Sequence, residues 1–131
     1  MSKPETRFYT AVHKELPAAV YRVKINNPYV GGIPDCWYSG TGGDLWVEYK
    51  WIASLPKRAV VVVPKLLSGL QKDWLTARHE EGRSTAVVLG SPEGAWVFEG
   101  LSWEQPIHPD EIRAHGLTKQ QVADYIQTRT I

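Results

Sequence analysis

The stretch from Gly31 to Trp51, GGIPDCWYSGTGGDLWVEYKW, leaves few folds open to the chain that carries it. IPDCWY and DLWVEYKW are rich in the aromatic and β-branched residues that suit strands. SGTGG between them supplies glycines for the positive φ angles of a reversal. The segment is expected as a β-hairpin. In its second strand Leu45, Val47, Tyr49 and Trp51 face one way, and Asp44, Trp46, Glu48 and Lys50 the other. Pairing Ser39 with Asp44 across a four-residue loop sets Asp35 opposite Glu48. Opposed Cβ atoms lie about 4.5–5.5 Å apart, so two carboxylates there repel unless a cation lies between them.

The flanking sequence supplies the other elements. Phe8, Val12 and Leu16 fall on one face of a helix expected from about Pro4 to Leu16, ended by Pro17. AAVYRVKIN alternates as a strand. The connector from Ile52 to Lys65 holds a short β-prone piece, Ala59 to Val63. SGLQKDWLTARHEEG predicts a helix with a Ser68–Gln71 capping box and Gly82 as its stop. STAVVLG and GAWVFEG are further strands, joined through the SPEG turn. A last helix is expected from Thr118, with Gln121 completing a second capping box and Leu117 and Val122 as its hydrophobic staple. Its inward face is Val122, Tyr125 and Ile126. Helix, three strands, helix, two strands, helix is the order of an α/β or α+β domain, a mixed sheet with helices on its faces.

At 131 residues the chain is expected to be one domain, with a core over about residues 5–100 and the C-terminal helix over about 118–129. A net charge of +1 neither announces nor excludes a nucleic-acid partner. One cysteine, Cys36, permits no internal disulfide and suits a reducing compartment. No apolar run approaches the ~18 residues of a membrane span. MSKPETRFYT lacks the apolar centre of a signal peptide. These features predict a cytoplasmic protein with no membrane partner.

Asp35 and Glu48 are hard oxygen ligands of the kind Mg2+ or Mn2+ takes, and the Tyr49 backbone carbonyl offers one more oxygen. Such a set, with a phosphate as further ligand, suits phosphodiester hydrolysis. Lys50 emerges on the same face as Glu48, where it could orient an attacking water or balance charge in the transition state. The plain alternative is a surface salt-bridge cluster, which contributes little stability. His13, His79, His108 and His115 show no zinc spacing and read as surface residues. Cys36, Trp37, Trp51 and Trp74 read as core.

Pro34-Asp35, then Glu48-Tyr49-Lys50, resembles the motif of the PD-(D/E)XK nucleases. LLSGLQKDWL followed by EEGRSTAVVLG is similar to the virus-type replication-repair nuclease (VRR-NUC) domains and to small phage Holliday junction resolvases. The resemblance covers about Glu15 to Phe98. It implies a restriction-endonuclease-like core and a Mg2+-dependent endodeoxyribonuclease, acting on branched DNA in recombination, replication or repair, in the host-cell cytoplasm if the chain is phage-encoded. It implies catalytic roles for Asp35, Glu48, Lys50 and Gln71, and an acidic residue on the first helix. For that acid Glu15 is the candidate, as a further metal ligand, and Glu5 is set aside because it lies about three turns from the end feeding the first strand. Gln71 could equally be only a helix cap, and Glu15 only a solvated side chain. Lys24, Lys57, Arg58, Lys65 and Lys72 could reach phosphates, and Trp46 could stack on a base. Such resolvases commonly work as symmetric dimers, and the connector or the first helix could supply the interface. The competing readings are a repair or degradation nuclease without branch preference, and a silent DNA-binding module of the same fold.

Overall fold

The computed structural model describes residues 3–26 and 29–131. Five strands form one sheet in the order β1-β2-β3-β4-β5: Tyr21–Lys24, Cys36–Gly40, Gly43–Trp51, Thr85–Gly90 and Trp96–Glu99. All neighbours are antiparallel except β3 and β4, which run parallel. A parallel step needs a crossover, and here it consists of the connector and helix α2 (Gly69–Glu80). The other helices are α1 (Pro4–Lys14), α3 (Pro109–His115) and α4 (Lys119–Thr130).

The hairpin forms in the expected register, with Ser39 opposite Asp44, and Gly40 and Gly43 also pair, so the turn shortens to Thr41 and Gly42. The C-terminus explains the glycines. The Gly42 amide donates to the Thr130 carbonyl at 2.7 Å, and a Cβ on Gly40 would strike that same carbonyl.

Side-chain alternation divides the core in two. Leu45, Val47 and Tyr49 of β3 join Cys36 and Tyr38 of β2, and pack with Phe8, Tyr9 and Val12 of α1 and Val122 and Ile126 of α4. On the opposite face Val87 and Leu89 of β4 and Phe98 of β5 pack with Leu75 of α2, Ile112 of α3 and the connector residues Leu55, Val61 and Val63. β4 faces both halves and is buried throughout, as a parallel central strand requires.

Both capping boxes form, Ser68 with Gln71 and Thr118 with Gln121. Gly82 follows α2 at φ +85°. Two features depart from the sequence reading. The β-prone connector makes a single bridge, Val61 to Ile107, and then a 3-10 turn at Val63–Lys65. Helix α3 arises where no helix is expected. Pro109 opens it, His108 caps it by accepting from the Asp110 amide at 3.1 Å, and Ile112 seats it in the second core. Arg113 of α3 donates to the Pro56 carbonyl at 2.8 Å and so ties down the connector. No helix among the described residues is long and apolar enough to cross a membrane.

Candidate active site

Asp35 stands one residue before β2, where the hairpin opens. Its backbone carbonyl accepts from the Ile25 amide at 2.8 Å, extending the β1–β2 ladder. Its side chain turns to β3, and Oδ2 accepts from the Tyr49 amide, also at 2.8 Å. That bond fixes one carboxylate oxygen and leaves the other for a ligand. Glu48 points to the same side and is 2% exposed. Lys50 Nζ lies 3.8 Å from Glu48 Oε2, an electrostatic contact rather than a hydrogen bond. Burial, then hydrogen bonding to Asp35 and its charge, hold the Glu48 carboxyl well above the ordinary carboxylate range, with Lys50 opposing. A buried acid facing another acid keeps a proton for want of a cation.

Magnesium or manganese fits these donors. Asp35, Glu48 and the Tyr49 carbonyl are oxygen ligands, and Mg2+ commonly takes one or two carboxylates and keeps several waters. Among the described residues no group of three or more His, Cys, Asp or Glu side chains is gathered closely enough to hold a metal alone.

The first helix brings Glu5, and not Glu15, to this site. Ring contacts give its direction: Phe8 lies 5.8 Å from Trp51, Tyr9 5.4 Å from Tyr49 and His13 5.5 Å from Tyr38. As α1 advances it therefore runs back along β3, away from Lys50. Glu5, half-buried in its first turn, feels the site, since burial and the Asp35 charge raise its pKa while Lys50 lowers it. Glu15 is the exposed C-cap of the same helix, about 15 Å further along at 1.5 Å per residue. The sequence expectation took the helix end next to the first strand as the end next to the acids, and sheet packing reverses that.

Gln71 is engaged as a cap. Its Oε1 accepts from the Ser68 amide at 2.9 Å and its own amide donates to Ser68 Oγ at 3.1 Å. The α2 start still lies by the segment leading to Asp35, because Gly31 and Gly32 press on Leu70 so closely that a Cβ on either would collide. Lys24 sits 5.5 Å over the Tyr9 ring, within the field of Asp35. Lys57, Arg58 and Lys65 are exposed on the connector, and Lys72 is half-buried on α2. Arg22 is fully occupied, donating to the carbonyls of His13, Pro17 and Val20.

Trp46 lies on the acid side of the sheet as expected, but between two other rings, 6.0 Å from Trp37 and 5.3 Å from Trp74. Trp74 is half-buried and packs against the second core, as expected. Trp37 leaves the core assigned to it and faces away from its neighbour Tyr38, which is buried. Trp103 is the buried one. Cys36 is buried as expected, and burial pushes its thiol up to about 12, which makes it inert. His13 is no surface residue. Its Nε2 lies 2.7 Å from Tyr38 Oη, which lies 2.7 Å from Tyr49 Oη. This chain anchors the side chain of the residue whose amide holds Asp35. A histidine at the i+4 position after buried Tyr9 was the available sign of its burial.

No protein-family model matches the sequence, and the search among curated proteins gives no match. Among solved structures the chain is similar to Hjc, a Holliday junction resolvase from the archaeal hyperthermophile Archaeoglobus fulgidus. The TM-score is 0.56 at 22% identity, over 90% of this chain and 98% of that one. The fold is restriction-endonuclease-like. In that fold the two carboxylates and the lysine sit on the hairpin's open end, backed by α1 and the start of α2.

Proposed function

We propose that this chain is a divalent-metal-dependent endonuclease that hydrolyses DNA phosphodiester bonds at branched sites, four-way junctions above all, and acts as a pair of copies. The observation that carries the proposal is the gathering of Asp35, Glu48 and Lys50 on one face, with Glu48 buried against Asp35 and only Lys50 to oppose it. For a fold needing stability alone that arrangement is a cost. The likeness in fold to a junction resolvase supports the choice of branched DNA. Mg2+ or Mn2+, when bound, would lower the pKa of water and offset phosphate charge.

The chain's own residues do the rest. The Tyr49 amide holds one Asp35 oxygen so that the other stays aimed at the site. Glu48, rigid on a central strand, gives up its proton as a cation enters. Lys50, 19% exposed, reaches the solvent-facing edge, where its ammonium can hold the attacking water and balance the charge growing on the phosphate. Exposed Lys57, Arg58 and Lys65 can hold flanking phosphates, an attraction that weakens as salt rises.

The test compares cleavage of a labelled four-way junction, a flap, a linear duplex and a single strand at one salt and Mg2+ concentration. The junction is expected to be cut fastest, with Asp35→Asn, Glu48→Gln and Lys50→Ala each slowing cleavage at least ~100-fold while staying folded. Equal rates on all substrates would leave a nuclease without branch preference. Folded variants with normal turnover would remove the site.

A further inference from the structure

The turn end of β3 lies away from the acids, with Asp44 about 20 Å from Lys50 along the strand at ~3.3 Å per residue. There the hairpin turn, the loop from α2 to β4 and the last turn of α4 surround a groove of about 680 Å3, whose lining includes Asp44, Trp46, Arg83, Ser84 and Arg129. A recess of about 150 Å3 shares Arg83, Ser84 and Arg129 with the groove and reaches in to Thr85 and Glu99. Thr85 is 2% exposed, and its hydroxyl has no hydrogen-bond partner among the described residues. Arg83 is exposed, and its guanidinium has neither an ion-pair nor a hydrogen-bond partner among them. Arg129 spans the Glu99 carboxylate at 3.1 Å and Ser84 Oγ at 3.3 Å.

We propose that this groove binds a nucleotide, its phosphate held by Arg83 and Arg129 and its base against Trp46. A buried hydroxyl without a partner costs stability. Thr85 Oγ1 therefore calls for an acceptor that the fold does not supply, and a phosphate oxygen is one. Arg83 adds a guanidinium that no carboxylate claims, and guanidinium groups take phosphate through paired N–H bonds. Trp46 gives an aromatic wall, on which a base stacks whatever its identity. Asp44 sets the character of the ligand. One of its oxygens accepts from Ser39 Oγ at 2.8 Å, which leaves the other for a sugar hydroxyl or a base amino group. A bare anion is repelled by that carboxylate and by Glu99. A lining of mixed sign thus selects a molecule with phosphate at one end and hydrogen-bond donors at the other. The volume of the groove lies within the ~300–1,000 Å3 of small-molecule sites.

A free mononucleotide and the 5′-phosphorylated end of a strand present the same phosphate, sugar and base, and the experiment distinguishes them. The inference goes beyond the nuclease reading. Arg83, Ser84, Thr85 and Arg129 lie outside the catalytic set, and binding is read in EDTA, without cleavage.

Isothermal titration of the full chain tests it, with dAMP, a 5′-phosphorylated oligonucleotide, the same oligonucleotide with a 5′-hydroxyl, and inorganic phosphate as probes. The nucleotide phosphate is expected to bind about tenfold or more tightly than inorganic phosphate or the 5′-hydroxyl strand. Binding of dAMP assigns a free nucleotide, and binding of the phosphorylated strand without dAMP assigns a strand end. Arg83→Ala and Thr85→Val are expected to weaken that binding about tenfold or more, while cleavage of a junction with 5′-hydroxyl ends is unchanged. Thr85→Val is expected to melt no lower than wild type, because it removes an unpartnered hydroxyl at nearly constant shape. If Thr85→Val is unfolded, Arg83→Ala, at an exposed position, decides. Failure of dAMP and of the phosphorylated strand to bind at millimolar concentration would overturn the site. So would inorganic phosphate or the 5′-hydroxyl strand binding as tightly, or binding that neither variant weakens. A wild type that binds nucleotide and cuts no DNA would sink the nuclease reading and leave this site standing.

Discussion

Glu48 carries opposed demands in a single side chain. A central strand buries it and Asp35 faces it, so its proton affinity is raised in the native state. The native protein then holds a proton that the unfolded chain releases above the ordinary value of 4.5. Stability from this group is complete below that value and is lost as pH rises. Glu48→Gln, neutral throughout, is expected to melt about 3–8 °C above wild type in EDTA at pH 8, corresponding to roughly 1–2 kcal/mol. The gap should close towards the acid limit, and Mg2+ should raise the melting temperature of wild type but not of the variant. Melting scans at several pH values check all three. Gln71 poses a separate question, because its carbonyl is already committed to the Ser68 amide. Glutamate serves equally at that capping position. Gln71→Glu is therefore expected to keep stability within about 0.5 kcal/mol, while an added negative charge beside the phosphate cuts cleavage tenfold or more. Unchanged cleavage would leave Gln71 as a cap alone.

Helix α1 is placed by its apolar stripe, and that placement decides which of its acids matters. Phe8 meets Tyr49 and Trp51, while His13 meets Tyr38, so the first turn lies at the Lys50 end of β3. Glu5→Gln is accordingly expected to slow cleavage about tenfold or more or to shift its Mg2+ dependence. Glu15→Gln, at the far exposed end, is expected to leave both unchanged. Cleavage rates against Mg2+ concentration distinguish the two, and the reverse result would return Glu15 to the site. The same helix brings His13 to the buried tyrosine pair. Burial, with the Arg22 charge, lowers its pKa from 6.5 to about 4. Between those values the unfolded chain binds the proton and the native protein does not, so this group's stability is present above pH 6.5 and is lost as pH falls towards 4. The loss is about 1–2 kcal/mol once solvent screening of a partly exposed ring is allowed for. Urea denaturation of wild type beside His13→Gln measures it. The variant should fall less steeply over that window, because the carboxylates, Glu48 included, act alike in both proteins.

Across the whole molecule, one sheet separates two tasks. The face under α1 and α4 is a continuous apolar core. The other face carries the second core over β4 and β5, while Trp37 of β2 and Trp46 of β3, beside the acids, are half-buried and belong to neither core cluster. The second core excludes water behind Glu48, which is 2% exposed. The connector, with Lys57, Arg58 and Lys65, is held to α3 by Arg113. The C-terminal residues brace the hairpin turn through the Gly42–Thr130 bond. The site is thus supported by segments at both ends of the chain.

Local rules were enough for the hairpin, both capping boxes and the sharing of one face by Asp35, Glu48 and Lys50. Strand alternation, turn glycines and N-cap chemistry each act over a few residues, and neighbours along the chain specify them. Contacts between distant segments were beyond such rules. Which end of α1 approaches the acids depends on how Phe8 and His13 pack on β3. That Trp37 stacks between Tyr21 and Trp46 outside both core clusters, while Trp74 packs against the second core, depends on how α2 lies on the sheet. Helix α3 forms because Ile112 finds the second core, a pocket built from residues far away in sequence. These were settled only by tertiary packing, because the free energy that fixes them comes from apolar surfaces that meet when the whole chain has folded.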